Sequence, residues 1–111
     1  MHDTELNLDY FFSSSYEEAR KKFLNLSDKL GITIFSFQHP SITTESGDPL
    51  TIDASWLGPR DAKNVLVMLS GTHGPESYTG SAIQLSWLQQ QEKFISSSLA
   101  VLNIHGVNPY G

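Results

Sequence analysis

The 111-residue chain has no cysteine, which excludes disulfides and thiolate metal sites and leaves histidine nitrogens and carboxylate oxygens as the donors for any metal. Basic residues are scarce too. Seven Lys and Arg stand against twelve Asp and Glu, a formal net charge of −5 with a pI near 5.1. That balance offers no basic footprint for nucleic-acid phosphates or an anionic membrane. No apolar run approaches the roughly 20 residues that a bilayer span requires. Met1 to Asp9 is acidic and lacks the positive and apolar segments of a secretory signal. These absences predict no nucleic-acid partner, no membrane partner and, by default, a cytoplasmic protein.

What is present reads as globular. With 39% hydrophobic and 17% charged residues, the chain lies far from the composition of disordered proteins. Its length suits one small domain, which buries roughly two thirds of its unfolded surface.

Ser15 followed by Glu18 is a capping box, so a helix is expected to start there. Tyr16, Ala19, Phe23, Leu26 and Leu30 form its apolar stripe, with Glu17, Arg20, Lys21 and Lys22 largely toward water. Gly31 suits the left-handed residue that ends it. A strand is expected over Ile32 to Phe37, a loop over Pro40 to Pro49, and a second, half-buried strand over Leu50 to Trp56, with Leu50, Ile52, Ala54 and Trp56 on one face. Gly58 to Asp61 reads as a turn. It leads into Val65 to Leu69, a continuous apolar run expected to be a central strand covered on both faces. Tyr78, Ala82, Leu85 and Leu88 return at helical spacing up to about Glu92, and Leu99 to Ile104 is a further strand. Strand, loop, helix, strand is the pattern of a parallel crossover. The class is therefore α/β, a partial mixed or parallel sheet with flanking helices.

In such sheets ligands gather beyond the carboxyl ends of the strands. Ser70-Gly71-Thr72-His73-Gly74-Pro75-Glu76 lies there, with glycines for tight turns and Pro75 suited to a first helical turn. His73 and Glu76 are three residues apart and converge on one point if a helix begins near Pro75. An imidazole and a carboxylate are zinc donors, and a catalytic zinc site needs a third protein ligand and an open position for water. Alone, His-x-x-Glu is a weak signal, since a solvated histidine beside a helix-starting glutamate explains most chance matches.

The wider pattern is more specific. Leu69 to Gln84, with Gly-Thr-His-Gly-Pro-Glu at its centre, Ile104 to Gly111 and the opening Asp9 to Arg20 together resemble the domain-of-unknown-function 2817 family, a branch similar to the zinc carboxypeptidases. The resemblance runs along nearly the whole chain. It implies the amino-terminal part of a zinc carboxypeptidase fold, zinc as cofactor, a peptide or amide substrate in the complete domain, and His73 and Glu76 as the first two zinc ligands. Pro75 and Ser77 depart from the family's more usual small aliphatic residue and glycine. The third ligand, the arginines and asparagine that hold substrate, and the glutamate that acts as general base are all expected past Gly111. On this reading the chain is the amino-terminal portion of a metallocarboxypeptidase-like hydrolase, incomplete as a domain and inactive alone.

Two further residues are candidates near the metal. His105 closes a strand and is either a third ligand or, more in keeping with the family, a hydrogen-bonded structural histidine. Asp53 either orients a ligand imidazole or bonds a nearby backbone group. His2 and His39 are expected in loops, solvated. Two other readings compete. A non-catalytic fragment serving as an interaction module would leave an uncovered sheet edge and self-associate through it. A serine hydrolase using Ser70 or Ser81 lacks the Gly-x-Ser-x-Gly elbow.

Overall fold

A computed structural model of the chain describes residues 8–91 and 98–110. In chain order the elements are α1 (Leu8–Phe11), α2 (Tyr16–Lys29), β1 (Thr33–Thr43), β2 (Pro49–Leu57), β3 (Asn64–Leu69), α3 (Ser77–Gln89) and β4 (Leu99–His105). The four strands form one sheet in the order β1-β2-β4-β3. β1 with β2 and β2 with β4 are antiparallel, whereas β3 and β4 are parallel, with Asn64 opposite Leu99 and Leu69 opposite Ile104. The expected mixed sheet is thus present, and α3 is the crossover between its parallel pair.

α2 begins as the capping residues dictate. The Ser15 side chain accepts from Glu18 N at 3.1 Å, while the Glu18 carboxylate reaches Ser14 N, one residue short of the reciprocal box, at 2.8 Å. That backbone N–H holds the Glu18 carboxyl below its usual range. The helix stops where Gly31 takes φ 72. The single turn of α1 is fastened from outside: Lys22 Nζ donates to Tyr10 O and Phe12 O, at 2.6 and 2.8 Å.

The core joins Phe11, Phe23, Ile32, Ala82, Leu85 and Leu88 between the helices and the sheet. The sequence expectations need three corrections here. First, β1 runs to Thr43, and only residues 44–48 remain as turn, because Thr43 pairs with Pro49 beyond an irregularity in the ladder. Second, the β2 face toward the helices is the polar one, Thr51, Asp53 and Ser55, all buried under α2. Arg20, expected in water, reaches this layer because it lies four residues from Tyr16 and three from Phe23. Third, β3 is an edge strand. Val65, Leu66, Val67 and Leu69 are exposed although their composition is that of a central strand.

Strand alternation sorts the two faces of the sheet. The face that carries Asp53, Asn103 and His105 lies under the helices. The opposite face carries Phe35, Phe37, Val65, Val67 and Leu69, all exposed, around Ala54 and Ala100, which are buried between them.

Candidate metal centre

The loop from Ser70 to Glu76 follows the end of β3 and leads into α3. Its base is tied to the end of β4: Ser70 N donates to Ile104 O (3.0 Å), Val107 N to Ser70 O (2.9 Å) and Asn108 N to Gly71 O (2.7 Å). Gly71 has φ 75, and a side chain there would put its Cβ 2.9 Å from Gly106 Cα, so glycine is required both for the turn and for the approach. Beyond it, Ser77 N and Tyr78 N donate to Gly74 O and Pro75 O as the chain winds up toward the helix. α3 therefore starts at Ser77, slightly later than Pro75 suggests, with Glu76 as its helical cap residue.

This winding brings the pair of interest together. His73 Nδ1 stands 3.9 Å from Glu76 Oε2, with the side chains 82% and 56% exposed. The same carboxylate oxygen accepts from Gly74 N at 2.6 Å, and that N–H holds the Glu76 carboxyl below its usual range, with His73 contributing. Two donors bound tetrahedrally to one zinc ion at about 2.1 Å stand about 3.4 Å apart. A small rotation of either side chain closes the difference. The nitrogen and oxygen donors suit zinc in kind, but among the described residues no group of three or more His, Cys, Asp or Glu gathers here or elsewhere.

His105 is placed apart from this pair. It is 3% exposed, stacked on Phe23 with ring centroids 4.7 Å apart, and its Nε2 is 2.8 Å from Ser81 Oγ. Burial drives its pKa down to about 4, against the pull of Asp53 and with a smaller push from Arg20. Ser81 beside a ring this weakly basic, whose Nδ1 has no partner among the described residues, lacks the base that an active serine needs. Ser70 Oγ accepts from Gly106 N. Both serines tie elements together.

Asp53 is fully buried in a side-chain cage. Arg20 donates to both of its oxygens, at 2.8 and 3.3 Å, and Ser36 and Thr51 hydroxyls donate at 2.6 and 2.9 Å. Its partners are neither a backbone group nor a ligand imidazole. His39 is not simply solvated, since its Nδ1 accepts from Ser41 N and Ile42 N; His2 lies outside the described residues. Two features of the site were not foreseen. The Ser81–His105 pair joins residues 24 apart, which no local spacing announces. Gln84, 2% exposed, donates to Met68 O and Ile104 O and so clasps the ends of the parallel strands; a glutamine in the Ala82–Leu85–Leu88 run was the available signal.

Below the loop lies a cavity of about 170 Å³, bordered by Tyr16, Ser70, Tyr78, Ser81, His105 and Tyr110 among others. No helix among the described residues is long and apolar enough to cross a membrane.

Comparison with known proteins adds a family and a fold. The profile of a family described as Protein of unknown function (DUF2817) matches residues 12–111. No curated protein matches. Among solved structures, a Zn-dependent exopeptidase from Parabacteroides distasonis superposes with a TM-score of 0.52 at 12% identity, covering 86% of this chain and 40% of that one. The likeness at this identity is one of fold, and this chain spans less than half of the matched exopeptidase.

Proposed function

Since the chain belongs to the family described as Protein of unknown function (DUF2817) and shares its fold with part of a Zn-dependent exopeptidase, we propose that it is the amino-terminal portion of a zinc-dependent carboxypeptidase-like hydrolase of peptide or amide bonds. His73 and Glu76 are its first two metal ligands. One observation carries this reading: the two side chains converge to 3.9 Å at the mouth of the sheet, past the end of a parallel strand. When bound there, zinc supplies Lewis acidity toward a carbonyl oxygen and lowers the pKa of a bound water. The chain's own contribution is positional. Gly74 N orients the Glu76 carboxylate and favours its charged form, and the hydrogen bonds to β4 hold the loop that carries His73.

On this reading the chain is one part of the domain, and the third ligand and general base that such a zinc hydrolase needs are supplied by the rest of it. Calorimetric titration tests the assignment. One zinc ion per chain is expected, with binding lost in both His73→Ala and Glu76→Ala; uptake that survives both substitutions contradicts it.

The uncovered sheet face favours a second reading, an interaction module that pairs with another copy of itself. Phe35 (39% exposed), Phe37 (62%), Val65 (45%), Val67 (48%) and Leu69 (57%) belong to one apolar face. Their exposed area is on the order of 400 Å², the size of the largest apolar patch on a typical monomer, which is often a functional one. Among the described residues β3 pairs with β4 alone and lies at the edge of the sheet. Light scattering is expected to show a concentration-dependent dimer that Val67→Lys abolishes. A monomer at all concentrations excludes this reading.

A further inference from the structure

The mutual orientation of His73 and Glu76 is referred to two different parts of the fold. The loop that holds His73 springs from Ser70 and Gly71, whose backbone bonds refer it to the end of β4. Glu76 heads α3, so its carboxylate moves with that helix. Local bonds from Gly74 N to Glu76 Oε2 and from Ser77 N to Gly74 O keep the two residues near each other, and the height and rotation of α3 over β4 set how squarely the Glu76 carboxylate faces His73. At an outer radius of 5 to 6 Å, turning a helix by about 20° carries a surface group about 2 Å. Metal sites tolerate roughly 0.2 Å in ligand distance.

Three contacts fix α3 over the parallel pair. Gly80 lies against Ser70, where an added Cβ would come 2.9 Å from Ser70 Cβ. Gln84 clasps the carbonyls of Met68 and Ile104. The third is the bond between Ser81 and His105, five residues on from Glu76 and the only one of the three that joins two side chains by a hydrogen bond. Its geometry is unusually well held: both residues are almost fully buried, and stacking on Phe23 at an interplanar angle of 20° denies the imidazole freedom to pivot. His105 is also the residue directly before Gly106, which packs against Gly71 at the base of the ligand loop. One imidazole thus adjoins both references, the loop base through its backbone neighbour and the helix through its side chain.

We infer that His105, acting through Ser81, is a positioning residue for the metal pair: it registers α3 against the loop base so that Glu76 faces His73. The inference rests on the ligand assignment above but goes beyond it, because it gives a role to two buried residues that touch neither ligand.

The test uses three variants of the full chain. Ser81→Ala and His105→Phe each remove the hydrogen bond, and the phenyl ring retains the stack on Phe23 so that the fold survives. His105→Gln restores a side chain able to bond Ser81. At a temperature where all remain folded by amide NMR, Ser81→Ala and His105→Phe are expected to weaken zinc affinity at least about tenfold, as loss of groups that orient ligands does. His105→Gln is expected to recover most of it. A second readout needs no metal: the nuclear Overhauser contact between the His73 ring and the Glu76 methylenes is expected in the parent chain and in His105→Gln, and to fade in the other two. If the parent chain takes up no zinc, the ligand assignment fails while the Overhauser contact still decides the positioning role. Unchanged zinc affinity and an unchanged contact in Ser81→Ala and His105→Phe, with only a lower melting temperature, would overturn it.

Discussion

Acidifying the protein from pH 7.5 to pH 5 puts the buried imidazole of His105 to a quantitative test. In the fold this group has a pKa of about 4, because burial opposes its charge. In the unfolded chain it regains the ordinary value near 6.5. The unfolded state therefore takes up a proton first as the pH falls. The stability that the neutral ring represents is present in full above about pH 6.5 and is lost progressively down toward pH 4. Integrating the two titrations gives a loss of about 2 kcal/mol between pH 7.5 and pH 5, rising to about 3 kcal/mol at lower pH. The charged groups around the ring, Asp53 and Arg20, are locked together. The other histidines, His2, His39 and His73, are the same in the parent chain and in His105→Gln, so the difference between the two isolates the buried ring. Urea unfolding followed by the fluorescence of Trp56 and Trp87, at pH 7.5, 6 and 5, measures the loss directly, and His105→Gln is expected to remove most of it. A stability constant to within about 0.5 kcal/mol across the range, or an equal loss in His105→Gln, refutes the reasoning.

Two other perturbations separate parts of the account. Asp53→Ala leaves the Arg20 guanidinium without its buried partner and is expected to destabilise by about 3 to 5 kcal/mol in urea unfolding, as breaking one side of a buried pair does. Gly71→Ala and Gly31→Ala both force alanine into a left-handed conformation, which costs about 1 to 2 kcal/mol. Only Gly71 also faces backbone at 2.9 Å. Its variant is expected to show the larger fall in melting temperature, and equal falls would show that the approach to Gly106 is not tight.

Local chemistry announced the local structure well. The start of α2 follows from Ser15 and Glu18, its end from Gly31, and the loop before α3 from its glycines, because each depends on residues within one turn of chain. The parallel pairing of β3 with β4 follows from the helix between them. What depended on distant partners was harder to read. An apolar run such as Val65 to Leu69 signals burial on both faces without saying which strands flank it, and here β4 takes the interior place while β3 lies at the edge. Alternation in β2 marked two faces correctly but not which one met the helices, since Arg20, Ser36 and Thr51 make the Asp53 face a buried polar layer. His73 and Glu76 were legible because three residues separate them. The Ser81–His105 bond was not, because it exists only after α3 has folded back on β4.

The most direct measurement is anomalous scattering at the zinc edge from crystals of the chain soaked in zinc. A peak is expected between His73 Nδ1 and Glu76 Oε2, about 2.0 to 2.2 Å from each. A peak at His39 instead, or bound zinc that touches only one of the two side chains, would contradict it.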